Sequence, residues 1–271
     1  MFDVYNMLHL ENMTTLHAII LGIIEGFTEF LPISSTGHMI LVSHFLHIPD
    51  TAILATFEIV VQLGAILAVV VLYHKKLFQL DMIKKLIIGF LPTGIIGIVV
   101  YPYIKYLLTG VYSPYIVASM LIIGGVVILL VEKRYERETE EGKVVEISSV
   151  SYKQALILGL FQALAIIPGT SRSGAVIVGG LLMRLSRKLL IEFTFLLAVP
   201  TMTVATLYTI LKKHKELSID SISPIIIGTV ISFFIAMFVI KFALQYIRQH
   251  SFNIFGWYRI IVGVTLLIIL L

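Results

Sequence analysis

The chain reads as an all-α polytopic membrane protein built as an inverted repeat, each half a re-entrant helical hairpin plus three transmembrane helices. Three observations carry that reading. Of the 271 residues, 58% are hydrophobic and 13% charged, with a mean hydropathy of +1.01. A soluble domain carries about 25% charge, and the length suits about six to eight helices of about 20 residues each. Two short polar runs, each just after a proline, interrupt apolar sequence at 32–38 and 168–174. The order of elements before the polar stretch at 132–146 is the order after it.

Taken along the chain, residues 1–13 form an interfacial lead-in. They lack a basic region and a small-residue cleavage site, so a cleaved signal peptide is not expected. The first repeat covers 1–131. Its hairpin, 14–48, is an apolar helix stopped by Pro32 and Gly37, then a second short apolar segment. Each limb is too short to cross, and irregular backbone at that depth must face protein or a watery cavity. Spans follow at 52–73, 86–108 (with Pro92 and Pro102 as expected kinks) and 114–131. A polar linker, 132–150, leads to the second repeat at 151–271: a hairpin at 151–185, broken at Pro168-Gly169, then spans at 189–211, 224–247 and 254–271.

A shift of 136 aligns Pro32 with Pro168, Ser35 with Ser171 and Phe57 with Phe193; a shift of 139 aligns Gly89 with Gly228 and Gly124 with Gly263. Three crossings per half is odd, so the halves are expected to be inverted, with the working site between the two breaks at the midplane. In this arrangement 14 Lys and Arg fall on one side and 4 on the other. The richer side is then cytoplasmic and both termini lie outside, in a bacterial inner membrane. The formal charge of +4 thus reads as topology, not as a nucleic-acid footprint. The absence of cysteine excludes disulfides and thiolate metal sites.

Chemistry concentrates in the breaks. Glu25 and Glu29, four apart on one helical face, can share a proton or a hard divalent cation such as Mg²⁺ or Ca²⁺; the plainer alternative is a pairing with a basic residue. Ser34-Ser35-Thr36-Gly37-His38 places hydroxyls near an imidazole, a nucleophile–base pairing, although capping of the next half-helix needs only the hydroxyls. His9, His17, His44, His47, His74, His214 and His250 are assigned to interfaces or loops. Thr170-Ser171-Arg172-Ser173-Gly174 sets the one arginine expected at membrane depth beside hydroxyls and a half-helix N-terminus, which suits a phosphate. The alternative there is an ion pair to Glu25 or Glu29. Glu58 and Gln62 share a face of the next span, where a cross-helix bond is an equal reading. Tyr258 and Arg259 fit an interfacial anchor or a site wall. Together these groups suit hydrolysis of a phosphoanhydride on a lipid-tailed substrate.

The stretch EGFTEFLPISSTGH at 25–38 resembles the acidic motif of the undecaprenyl-diphosphate phosphatase (bacitracin-resistance protein) family, and PGTSRSG at 168–174 resembles its second motif. FEIVVQLGAILAV (57–69), FTFLLAVPTM (193–202) and FGWYRI (255–260) extend the resemblance over nearly the whole chain. One departure is Val176, where that family usually has Thr. The resemblance implies removal of the terminal phosphate from undecaprenyl diphosphate, a divalent-cation requirement, a site open to the extracytoplasmic side and bacitracin resistance. It implies catalytic roles for Glu25, Glu29, Ser35, His38 and Arg172. Substrate binding would fall to Ser34, Thr36, Thr170, Ser171 and Ser173, and metal binding to Glu25 and Glu29. Partners expected are the polyprenyl diphosphate and the bilayer, with a homodimer an open expectation. The competing class is a transporter or flippase of polyprenyl phosphate lipids, since broken inverted repeats are common there.

Overall fold

The computed structural model describes residues 13–108, 112–136, 146–213, 219–247 and 249–271; the expected lead-in at 1–12, with His9, and the position of His214 lie outside them. Every regular element described is helical: α1 (Thr15–Thr28), α2 (Ser35–Phe45), α3 (Ala52–Val60), α4 (Gln62–Leu77), α5 (Leu80–Leu108), α6 (Ser113–Glu136), α7 (Tyr152–Ala163), α8 (Arg172–Leu182), α9 (Arg187–Lys213), α10 (Ile219–Ile247) and α11 (Asn253–Leu270), with short 3₁₀ turns at Ile147–Ser149 and Leu164–Ile166. Six helical stretches among the described residues are long and apolar enough to cross a membrane: Ile53–Leu77 (α3 with α4), Leu80–Val100, Ser113–Glu136, Arg187–Lys212, Ile222–Ile247 and Asn253–Leu270. The chain is a multi-pass membrane protein. Large apolar side chains remain exposed all around it, Ile98, Phe234, Phe238 and Ile268 among them, as a lipid solvent permits.

The two hairpins form where the prolines and polar runs stand. α1 starts on a capping box: Thr14 accepts from the His17 amide while the His17 ring accepts from the Thr14 amide. α7 starts on the same device built from Ser151 and Gln154. Each second limb begins after a serine in the left-handed region, Ser34 at φ 70° and Ser171 at φ 68°, and each ends at a residue of the same kind, His47 at φ 53° and Arg184 at φ 62°. Four non-glycine residues in so rarely occupied a region thus fall into two pairs, 34 with 171 and 47 with 184. The backbone therefore matches at a shift of 137, one more than the motif-based shift of 136. Ser34 corresponds to Ser171, Gly37 to Gly174 and Glu25 to Gln162; Ser35 corresponds to Arg172. Matching prolines misplaced the register because the second break reaches its serine one residue later, three after Pro168 against two after Pro32.

Packing exchanges partners between the halves. α1 lies on α10 and α7 lies on α5, while α6 packs on α11 and α4 on α9. Bare backbone makes these crossings close. A side-chain carbon at Gly22 would meet the Gly228 carbonyl at 2.6 Å, and one at Gly159 would overlap the Gly89 carbonyl. Small residues at such crossings are how membrane helices gain van der Waals contact without a hydrophobic drive.

One local expectation differs, and α5 carries Pro92 and Pro102 within a single helix. Residues 132–136 are the last turn of α6, not linker: Glu132 is fully buried, takes a bidentate bond from Arg187 (Nη2–Oε2 2.6 Å) and accepts the Phe252 amide at 2.7 Å. A run of charges looks solvated in sequence, yet a carboxylate with three partners is satisfied inside. Residues 137–145 lie outside the description.

Candidate active site

The two breaks meet. Ser173 Oγ in the second donates to the Leu31 carbonyl in the first at 2.9 Å, and Ser171 Oγ lies 3.1 Å from Ser173 Oγ while accepting the Gly174 amide. Ser171 thus caps α8, as Ser often does. Ser34 makes no such bond for α2.

Between the breaks lies a cavity of about 230 Å³, lined by Glu29, Ser34, Ser35, Thr36, Ser171 and Arg172 of the breaks and by Gln62, Thr93, Gln162 and Thr201 of the surrounding helices. Glu29 is its pivot. The α1 helix ends here with Glu29 still bonded to the Glu25 carbonyl, so the carboxylate is carried to the mouth of the break. Ser35 Oγ donates to Glu29 Oε2 at 2.6 Å, and Arg172 Nη2 donates to Glu29 Oε1 at 3.2 Å. A second arm of Arg172, Nη1, is fixed on the Thr194 carbonyl at 2.6 Å, while Nε has no protein partner. Glu25, one turn earlier, is buried at 1% exposure with Oε1 unpartnered, in the field of Glu29, Glu58 and Arg172. Thr36 is exposed at the rim. The Thr170 hydroxyl is buried and unpartnered, and its carbonyl is bound elsewhere.

His38 lies outside that cavity wall. Its Nδ1–H donates to the Ser34 carbonyl at 2.8 Å, which leaves Nε2 to accept from the Tyr258 hydroxyl at 2.8 Å. The expected Ser35–imidazole pairing is not made; the carboxylate of Glu29 takes the hydroxyl instead. The other described histidines, His17, His44, His47, His74 and His250, lie away from the cavity lining.

Arg172 is not the sole buried arginine. Arg259 is fully buried and donates to the carbonyls of Pro32 (3.2 Å), Gly169 (3.0 Å), Thr170 (3.0 Å), Met120 (3.0 Å) and Leu121 (3.4 Å). It is neither an interfacial anchor nor part of the cavity wall. It clamps both breaks to α6, with room for the guanidinium left by Gly124, where a side-chain carbon would overlap it. Its N–H groups meet three carbonyls of the breaks, Pro32, Gly169 and Thr170, and two inside α6, Met120 and Leu121, which satisfies a charge that would otherwise be costly at this depth.

The donors suit a hard cation in one specific way. Among the described residues no cluster of three or more His, Asp or Glu stands together, and both oxygens of Glu29 are engaged. Glu25 Oε1 is the free carboxylate oxygen. Mg²⁺ is commonly held by one or two carboxylates with substrate phosphate and water completing its shell, and Glu25 with Glu29 fits that sparse protein share.

The wall formed by Gln162, Thr93 and Thr201 was missed in the sequence. Gln162 is fully buried, and its Nε2 donates to Thr93 Oγ1 (2.9 Å) and Thr201 Oγ1 (3.0 Å). The correct repeat register, which sets Gln162 opposite Glu25, would have marked it.

Comparison with known proteins matches residues 18–265 to the family described as bacitracin resistance protein BacA. The undecaprenyl-diphosphatase of Sulfurihydrogenibium sp. is 50% identical over 252 residues, covering 93% of this chain and 98% of that protein. The undecaprenyl-diphosphatase of Wolinella succinogenes is 48% identical over 94% of this chain and 98% of its own length, and that of Persephonella marina 48% identical over 96% and 100%.

Proposed function

This chain belongs to the bacitracin resistance protein BacA family, and from that premise we propose that it removes the terminal phosphate of undecaprenyl diphosphate, returning the monophosphate carrier lipid to cell-wall synthesis and conferring resistance to bacitracin. The carrying observation is the Ser35–Glu29–Arg172 chain of bonds, which joins a hydroxyl, a carboxylate and a guanidinium drawn from both breaks.

Their chemistry follows from their bonds. The Ser35 proton already points at Glu29, so the carboxylate is the base that takes it as Ser35 Oγ attacks the terminal phosphorus. The bridging P–O bond breaks and the lipid monophosphate leaves with the bridging oxygen. Water then hydrolyses the phosphoserine, with Glu29 returning the proton. Arg172, held by Thr194, turns its second arm from Glu29 to a phosphoryl oxygen and stabilises charge there. Ser171, Ser173 and Ser34 hold the turns that aim these groups, Thr36 lines the approach, and Thr170 lies behind the lining with its hydroxyl buried. His38 orients Ser34 through its carbonyl. A divalent cation of the Mg²⁺ or Ca²⁺ kind, held by Glu25 and Glu29, supplies neutralisation of the diphosphate charge.

Two structural readings accompany this. The exchanged packing of α1 on α10 and α7 on α5 supports an inverted repeat, with 1–131 and 151–271 as its halves. The excess of Lys and Arg on one side supports an inner-membrane chain with both termini and the cavity mouth extracytoplasmic.

Purified protein in detergent with Mg²⁺ is expected to release phosphate from a polyprenyl diphosphate, and a chelator to stop it. Glu29→Ala and Arg172→Ala should abolish release while the protein remains monodisperse. A flippase needs two compartments, so absence of release in micelles alongside lipid translocation in vesicles would favour transport.

A further inference from the structure

The wall formed by Gln162, Thr93 and Thr201 presents a buried unmatched group. Thr93 Oγ1 donates its one proton to the Gly159 carbonyl (3.2 Å) and Thr201 Oγ1 donates to the Leu197 carbonyl (2.9 Å). Both hydroxyls can therefore only accept, and both accept from Gln162 Nε2. With both hydroxyl protons on those carbonyls the amide faces one way: turned round, Gln162 Oε1 would confront two oxygens with no proton between them. Oε1 is thus held as a bare acceptor, fully buried and unpartnered, in a residue that lines the same cavity as Glu29, Ser35 and Arg172. A buried acceptor without a donor costs about 1–3 kcal/mol, so the ligand that belongs here brings a hydrogen.

Of the species in the proposed reaction, the lipid phosphates lose their last proton with a pKa near about 6, whereas inorganic phosphate keeps a P–O–H throughout the physiological range. We propose that Gln162 Oε1, aimed by Thr93 and Thr201, is the seat of the protonated oxygen of released inorganic phosphate, opposite the arginine that holds its anionic oxygens. This rests on the phosphatase reading and adds to it a product subsite that tells hydrogen phosphate from proton-free anions of the same shape.

The test is calorimetric binding at pH 8 of inorganic phosphate, sulfate and methyl phosphate to the purified full-length protein. Phosphate is expected to bind at least about tenfold more tightly than either proton-free anion, and Gln162→Leu to reduce that preference below about twofold. Equal binding of the three anions by the wild type would overturn the proposal and leave Oε1 to a water. So would a preference that survives in folded Gln162→Leu. If that variant does not fold, the wild-type comparison alone decides. Because no turnover is read, an intact anion preference without phosphate release supports the seat and overturns only the phosphatase reading.

Discussion

At the scale of single residues, the site is a set of buried polar groups whose bonds limit what each can do. Glu29 holds a hydroxyl on one oxygen and a guanidinium on the other, so in the proposed reaction it would orient the nucleophile and restrain the phosphate ligand at once. Glu29→Gln keeps the shape but removes the base, and kcat is expected to fall by about 10²–10⁴-fold. Ser35→Ala should do at least as much, and quenched-flow mass spectrometry of the wild type should show a phosphate on Ser35. Glu29 and Arg172 were readable from their residue types, because a carboxylate and a guanidinium at membrane depth need partners; Ser35 stood out from its hydroxyl neighbours only through the family resemblance. His38 was not, since its ring turns toward Tyr258, a residue 220 positions away. Local sequence does not encode that choice.

At the scale of elements, the hairpins are readable from proline and apolar length, while their seating depends on glycine. Gly159 carries the Gly89 backbone where a side chain would sit; Gly97, also in α5, has open space around it. Gly159→Ala should therefore lower thermal stability in detergent, by about 1–3 kcal/mol from overpacking. Gly97→Ala should be neutral or raise it by about 0.5–1 kcal/mol through helix propensity alone. Glu132 makes a like point at the end of α6. Glu132→Ala removes the bidentate partner of Arg187, which keeps only Glu136 at 3.5 Å, and leaves the buried Phe252 amide without its acceptor; about 1–3 kcal/mol of stability is expected to go with it. Sequence placed both residues in polar surroundings because the three elements that enclose them come from distant parts of the chain.

At the scale of the molecule, two short breaks become one site because each first limb packs on the other half, α1 on α10 and α7 on α5. Arg259 then draws the turns together from a third direction. The chain has no cysteine, so single introduced cysteines can report the orientation inferred from its basic residues. Lys153→Cys should react with an impermeant maleimide only after the membrane is opened, and Lys212→Cys in intact cells. The reverse pattern would turn the molecule over.

The amino-acid sequence by itself determined the membrane class, the two interrupted hairpins, and the identity of Glu29 and Arg172, beside a hydroxyl run at 34–36, as groups that need an explanation at depth. These depend on apolar run length, proline and the cost of buried charge, all of which are local. Tertiary structure decided that Arg259 binds five carbonyls, that Glu29 rather than His38 takes the Ser35 hydroxyl, and that Gln162 faces the cavity. Those outcomes depend on which backbones approach closely enough to meet a side chain, and that is settled when helices from opposite ends of the chain pack.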